Sequence, residues 1–378
     1  MTDGFFDCFT ENFKDESTFL KFLYERENDA SWETVSHRDI KFIGLEDDDY
    51  ESESIGNGFD LNSKFEVFED TMKHTSLVAE FYGKYFAIRD TAIKTLLERA
   101  CISGQALKRV PKKVLGEILN HCIETSKGKS LILRSYDKIS AFHSGDNSYS
   151  VLDMYELFRL TSDYLSAKYP GSNFIEATYD HSLTTGLWEI KNSDLTEAYV
   201  DFLNRNDLNK WDEIRPTIRV TTSDVGISSV TISPMLFVDD TFKITLGSPI
   251  KLAHRNNASI SHFEENLNLI FPQFDAALGK LMKLASIEIR YPKYCMGSVM
   301  KKIGIHKSLG LEVLESFMFG MGSNPITAHE IYCSINEVLF IMTCNKESQT
   351  KIAKVEEMIA RALNIKWQDY DFPGDFIW

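Results

Sequence analysis

The chain has 378 residues, of which 43% are hydrophobic and 26% charged, and its formal net charge is −15. Its 26 Phe and 15 Tyr argue against a disordered chain, because disordered segments are poor in aromatic residues. No apolar run approaches the roughly 18 residues of a membrane-spanning helix, and the chain begins without the basic and apolar parts of a signal peptide. The sequence therefore predicts a cytoplasmic protein with no membrane partner.

The predicted elements begin with an acidic leader, residues 1–80, that is partly helical around residues 13–23. Its acids are densest at 46–53, where like charges and the following Gly56-Asn57-Gly58 favour a loop. The rest of the chain is nearly neutral, except that residues 94–138 hold ten basic and four acidic residues. This stretch predicts a local basic patch on an acidic protein, although a solvated helical face has the same composition.

Regular elements follow in an order that favours an α+β fold. Helices are predicted at 90–103, 111–125, 151–168 and 193–204, and strands at 130–136, 138–143, 173–179, 184–191, 217–222, 227–232 and 242–246. From residue 259 the pattern is mostly helical. We therefore expect an α+β core at 81–258, with an antiparallel sheet of about five to seven strands in the middle of the chain, and a helical region at 259–378.

The helical region opens with an apolar stripe that repeats every 3.5 residues from Phe263 to Leu284, the spacing of a coiled coil. Pro272 interrupts this stripe and predicts a kink. The pattern leaves two alternatives open, which are packing within the chain and a homo-oligomer formed through residues 259–286.

No sequence motif points to catalysis. The chain has no P-loop and no G-x-G-x-x-G, and its His and Cys residues lack the short paired spacings of zinc sites. The six cysteines also lack the pattern of a disulfide framework, so free thiols are predicted. The sequence accordingly predicts a protein that is not an enzyme, with no catalytic residue, cofactor or metal site.

Four short segments are similar to a known family: Lys129–Ser144, Thr222–Gly226, His254–Asn256, and Tyr291–Cys295 with the Lys301–Gly304 run that follows it. Together they resemble the phage- and plasmid-borne domain-of-unknown-function family number nine hundred and thirty-two, which includes the plasmid-related YafZ-type proteins. The resemblance covers roughly residues 85–345. Many members read Ser-Asp-Arg-Tyr where this chain has Ser144–Asn147, so one base of that pattern is missing here. The resemblance implies a mobile element in a bacterial host cell and no established activity.

The basic stretch and this context predict a phage or plasmid DNA-metabolism protein that binds single-stranded DNA or RNA, as an annealing or recombination accessory factor does. The predicted phosphate contacts are Lys108, Arg109, Lys112, Lys113, Lys127, Lys129 and Arg134. The predicted stacking surfaces are Tyr136, Phe142 and His143, since bases stack on aromatic rings whatever the nucleotide sequence. The alternative is an anti-defence interaction protein, whose acidic leader imitates DNA and blocks a basic groove on a host defence protein.

Overall fold

Two mainly antiparallel sheets organise the chain in the computed structural model, which describes residues 3–46, 64–126, 128–192, 194–208, 210–239, 242–321 and 324–378. The strands are β1 Thr10–Phe13, β2 Ser31–Ser36, β3 Lys41–Gly44, β4 Leu77–Phe81, β5 Lys84–Ile88, β6 Lys129–Ser135, β7 Lys138–Ser144, β8 Asn173–Asp180, β9 Thr184–Glu189, β10 Ile214–Thr222, β11 Val230–Val238, β12 Phe242–Thr245, β13 Ile250–Leu252, β14 Glu288–Ile289 and β15 Ile326–Thr327. The helices are α1 Glu16–Asp29, α2 Lys64–His74, α3 Asp90–Arg99, α4 Lys112–Thr125, α5 Met154–Lys168, α6 Asp194–Arg205, α7 Ile260–Leu267, α8 Ile270–Leu284, α9 Pro292–Ile303, α10 Lys307–Met321, α11 Ala328–Ile335, α12 Glu337–Cys344 and α13 Gln349–Arg361. Within these ranges no helix has the length and apolar character needed to cross a membrane.

The first sheet has six strands in the order β2-β6-β7-β5-β4-β3. Its pairs are antiparallel apart from β5 and β7, which run parallel. A two-residue turn joins β6 to β7, and both its residues, Tyr136 and Asp137, have the positive φ of a type I′ hairpin. Helices α3 and α4 cover one face, where Leu96 and Leu119 pack in one core with Ile132.

The second sheet has seven strands in the order β1-β8-β9-β10-β11-β12, with β13 also paired to β11. On β10, Ile218 points into a core that includes residues of α1, α5, α6 and the C-terminal helices. Its neighbour Arg219 points to the opposite face, because side chains alternate along a strand. There Arg219 pairs with Glu356, and Lys251 with Glu357 at 2.7 Å, so both ion pairs fasten α13 to the sheet.

The predicted α+β class is confirmed, and both large sheets are built of antiparallel pairs with one parallel exception. The structure differs from the predicted division at residue 80. β1 pairs with β8, β2 pairs with β6, and β3 pairs with β4, so the described part of the acidic leader belongs to both sheets. The helical region likewise shares one apolar core with the seven-stranded sheet. The acidic run at 47–53 lies outside the described residues.

The apolar stripe at 259–286 packs within the chain. Phe263, Phe274 and Leu281 are fully buried, and the remaining stripe residues to Leu284 are at most 5% exposed. The structure therefore supports packing of the stripe within the chain, and the homo-oligomer through residues 259–286 stays a prediction. In place of the predicted kink, the helix breaks between α7 and α8. Pro272 lies in the first turn of α8, where backbone N–H groups make no hydrogen bond within the helix, so the N–H that proline lacks is not needed there.

Candidate functional site

Four of the predicted phosphate contacts lie at the start of α4. Lys108 and Arg109 end the short 3₁₀ turn Gln105–Arg109, and both are exposed. Lys112 and Lys113 occupy the first two positions of α4, where Lys112 is partly buried and Lys113 exposed. We call these four residues the basic surface.

The backbone adds to the positive charge of the basic surface. Pro111 stands at the N-cap of α4 and offers no side-chain hydrogen bond, and the first turn of the helix contains no acidic residue. The free N–H groups of a first helical turn carry partial positive charge, which attracts anions and disfavours lysine. A helix that begins with two lysines therefore presents the elements that bind phosphate in proteins, which are donor N–H groups and mobile cations.

The carboxylate of Glu46 stands beside the basic surface. Glu46 Oε2 lies 2.6 Å from Lys113 Nζ, and both side chains are about half exposed. The end of β3 can approach α4 this closely because residue 44 is glycine, where a Cβ would lie 1.9 Å from the backbone oxygen of Lys112. Among the described residues, Lys108, Arg109 and Lys112 have no carboxylate partner.

The other predicted phosphate contacts lie elsewhere. Lys127 falls outside the described residues. Lys129 is exposed on β6 beyond the far end of α4, roughly 20 Å along the helix from Lys112 at the usual rise per residue. Arg134 pairs with Glu33 and covers the ring of Phe86 at 4.6 Å. The predicted basic patch is therefore divided in the structure. Most of its side chains without a carboxylate partner among the described residues lie at the start of α4.

The predicted stacking surfaces are buried. Tyr136 is 9% exposed, and its ring packs so tightly on Gly4 that a Cβ there would lie 2.6 Å away. Phe142 is 1% exposed in the core beneath α3 and α4, and His143 is 7% exposed. None of these three rings offers a face to a nucleotide base, so the stacking prediction is corrected.

His143 belongs instead to a buried polar cluster between the two sheets, which we call the inter-sheet cluster. Arg26 of α1 pairs with Asp224 at 2.8 Å, and the backbone oxygen of Asp224 accepts hydrogen bonds from His143 Nε2 at 2.6 Å and from Tyr149 Oη at 3.2 Å. The ring of Tyr149 lies nearly parallel to His143 and His254, with centroids 3.6 and 5.4 Å away. Sequence reasoning missed this cluster, although His143, Asp224 and His254 lie in three of the segments that carry the family resemblance.

Burial sets the protonation of the inter-sheet cluster. It lowers the pKa of His143 to about 4 and also lowers the pKa of His254, while it raises the pKa of the Tyr149 hydroxyl. At neutral pH the two imidazoles are therefore uncharged around the Arg26–Asp224 ion pair. Arg26, Asp224, His143 and His254 are 3–8% exposed, so the cluster is closed to solvent and serves to join the sheets.

A second buried network ties the N-terminal segment to the six-stranded sheet, and we call it the buried ion network. Lys138 Nζ contacts Asp7 Oδ1 at 2.8 Å and also pairs with Asp70, and Arg89 approaches Asp7 at 3.4 Å. Asp7, Asp70 and His74 place ligand atoms within 4.8 Å of one another, as a metal site would. The ammonium group of Lys138 already lies against both carboxylates, so these residues do not favour a metal ion.

No protein-family model, curated protein or solved structure matches the chain. The resemblance to the plasmid-related family therefore stays a prediction.

Proposed function

We propose that the protein binds single-stranded nucleic acid through phosphate contacts at the basic surface. The observation that carries this proposal is the coincidence of four basic side chains with an uncapped helix start, on a protein whose formal net charge is −15. Selection for solubility alone does not explain it, because two lysines in a first helical turn oppose the helix dipole.

The proposed contacts are electrostatic and independent of base sequence. Phosphate contacts position a nucleic acid without reading its bases, and the predicted stacking rings are buried. With three to four phosphates neutralised, log affinity should fall with log salt at a slope of about −2 to −3 for a single strand. We therefore expect weak binding that changes little between oligonucleotides of different sequence.

The test is fluorescence anisotropy with a labelled single-stranded oligonucleotide at about 50 and 150 mM salt. Reversing two exposed charges, Lys108→Glu with Arg109→Glu, should weaken binding at the lower salt at least about tenfold. The matched control is Lys301→Glu with Lys302→Glu, an adjacent exposed pair that ends helix α9.

The control pair should leave the affinity within about twofold of the wild type. Absence of wild-type binding at the lower salt would reject the proposal. An equal loss in both double variants would also reject it, because net charge rather than the basic surface would then explain binding.

A further inference from the structure

A cavity of about 510 Å³ lies between the C-terminal helices and the edge of the seven-stranded sheet. Its walls come from α10, α11, the start of α12, the first residue of β12 and the segment that follows α6. This volume falls within the range of small-molecule sites in proteins. The cavity is separate from the basic surface and shares no lining residue with it.

Aromatic side chains form much of the cavity wall, and they are Trp211, Phe242, Phe317 and Phe319. Phe317 is 3% exposed, whereas Phe319 is 97% exposed. The face of an aromatic ring carries negative partial charge and attracts a cation within about 6 Å. A ring as exposed as Phe319 also gains by covering a bound molecule.

Among the residues that the structure describes, the polar groups lining the cavity leave the Glu337 carboxylate without a cationic partner. Lys210 and Glu330 lie 3.3 Å apart and compensate each other. Glu337, half-buried at the start of α12, accepts a hydrogen bond from Ser316 Oγ at 3.3 Å. Within the described residues, no Lys, Arg or His forms an ion pair with Glu337.

The remaining titratable groups in the cavity are neutral at physiological pH. Burial lowers the pKa of His329 to about 4, and burial raises the pKa of the Cys333 thiol to about 12. His329 therefore supplies no positive charge, and Cys333 is not a thiolate. A cation that enters the cavity meets the Glu337 carboxylate and aromatic rings.

We propose that this cavity binds a small organic ammonium ion, with Glu337 as its counter-ion and the rings of Trp211, Phe242, Phe317 and Phe319 as its walls. Aromatic rings combined with a carboxylate form the arrangement that recognises such cations in proteins. The proposal does not depend on nucleic-acid binding, because it involves different residues and a ligand of opposite charge.

Binding should also respond to pH. Burial raises the pKa of Glu337, and the hydrogen bond from Ser316 opposes that rise in part. A bound cation favours the ionised carboxylate, so affinity should increase as the pH rises through the pKa of Glu337 and reach a plateau above it.

The test compares choline with 3,3-dimethyl-1-butanol, which has the same shape without the charge, by isothermal titration calorimetry on the full chain. Choline should bind at least about tenfold more tightly at neutral pH, because the cavity is lined by aromatic residues and a carboxylate. This comparison uses only wild-type protein, so it does not depend on the folding of a variant. Equal affinity for the two compounds, or no binding of choline, would overturn the proposal.

Glu337→Gln supplies the residue-level test, because it removes the charge and keeps the shape. Choline affinity should fall about tenfold, while the affinity for the alcohol stays unchanged. The control is Glu312→Gln, an exposed carboxylate on α10 that does not line the cavity. If the two variants bind choline equally well, Glu337 is not the counter-ion and the proposal fails.

Discussion

The basic surface and the buried ion network contain lysines from the same basic stretch of sequence, yet they are physically opposite. At the basic surface, Lys108 and Arg109 stand in solvent without carboxylate partners among the described residues. In the buried ion network, Lys138 is fully buried and contacts two carboxylates. The first group has charge available for a ligand, and the second uses all of its charge to hold the fold.

This difference follows from where the partners of each residue lie in the chain. Lys138 meets Asp7 and Asp70, which are 131 and 68 residues away in sequence. A count of charges over 45 residues includes Lys138 and omits both of its partners. A locally basic stretch therefore predicts a binding surface only if no acidic residue from a distant part of the chain packs against it in the fold.

The largest expected effect concerns the acidic leader, which supplies Asp7 and Asp70 to the buried ion network and Arg26 to the inter-sheet cluster. Removing residues 1–60 would delete β1, α1, β2 and β3, and with them Asp7 and Arg26. We expect the truncated chain to lose its cooperative thermal transition, because both sheets lose strands and a shared core opens. Circular dichroism and calorimetry measure this. A truncated chain that still melts cooperatively would show that the leader is separable from the two sheets.

The next prediction compares the two regions directly by removing one lysine from each. Lys138→Ala leaves Asp7 and Asp70 buried without their ammonium partner, and should reduce the free energy of unfolding by about 3–5 kcal/mol. Lys108→Ala, at an exposed position of the basic surface, should change it by no more than about 0.5 kcal/mol. Urea denaturation at neutral pH measures both. Similar small losses in the two variants would mean that the buried ion network contributes little.

Acid should weaken the inter-sheet cluster before it affects the basic surface. Burial holds the pKa of His143 at about 4 against 6.5 in the unfolded chain, so the unfolded state binds the proton more readily. The contribution of the neutral His143 to the free energy of unfolding is fully present above pH 6.5. About 3 kcal/mol of this contribution is lost as the pH falls to about 4. His254 and Arg99 act in the same direction on His143, whereas the Asp224 carbonyl and carboxylate oppose the shift.

His143→Phe checks this assignment, because it keeps a ring against Tyr149 and removes the titrating group. Between pH 4 and 6.5, the slope of the unfolding free energy against pH should decrease by an amount that corresponds to the uptake of nearly one proton on unfolding. The control is His306→Phe at an exposed position, which should leave the slope unchanged. An unchanged slope in His143→Phe would assign the acid sensitivity to other groups.

The sequence predicted some of the parts of the fold that depend on neighbouring residues, but it missed the hairpin of β4 and β5. The β6–β7 hairpin and α4 were predicted within a few residues, because strand alternation, a two-residue turn and Pro111 are local signals. β1, β2 and β3 were missed, because these short strands pair with residues 33 to 170 positions away in the chain. Their places are fixed by packing and not by propensity.

The candidate sites show the same division. The start of α4 was predicted because its charge and its helix signal lie within six residues. The burial of Tyr136 was not, because it depends on Gly4, which is more than 130 positions away. The cavity at Glu337 was also missed, since its aromatic walls come from segments between residues 208 and 337 that share no motif.

The smallest expected effect sharpens the definition of the basic surface at the ion pair between Glu46 and Lys113. Glu46 and Lys113 are both about half exposed, and exposed pairs contribute about 0–1 kcal/mol. Glu46→Gln should therefore leave stability nearly unchanged while it removes one competing carboxylate from the Lys113 ammonium.

Oligonucleotide affinity at about 50 mM salt should rise two- to fivefold in Glu46→Gln, and the gain should shrink at about 150 mM salt because screening weakens the competition. The matched control is Glu347→Gln, which breaks an exposed pair with Lys351 of the same 2.6 Å length on a different part of the chain. An equal gain in both variants would attribute the effect to the net charge of the protein. If affinity rises in neither variant, Lys113 does not contact phosphate. The basic surface would then consist of Lys108, Arg109 and Lys112, which have no carboxylate partner among the described residues.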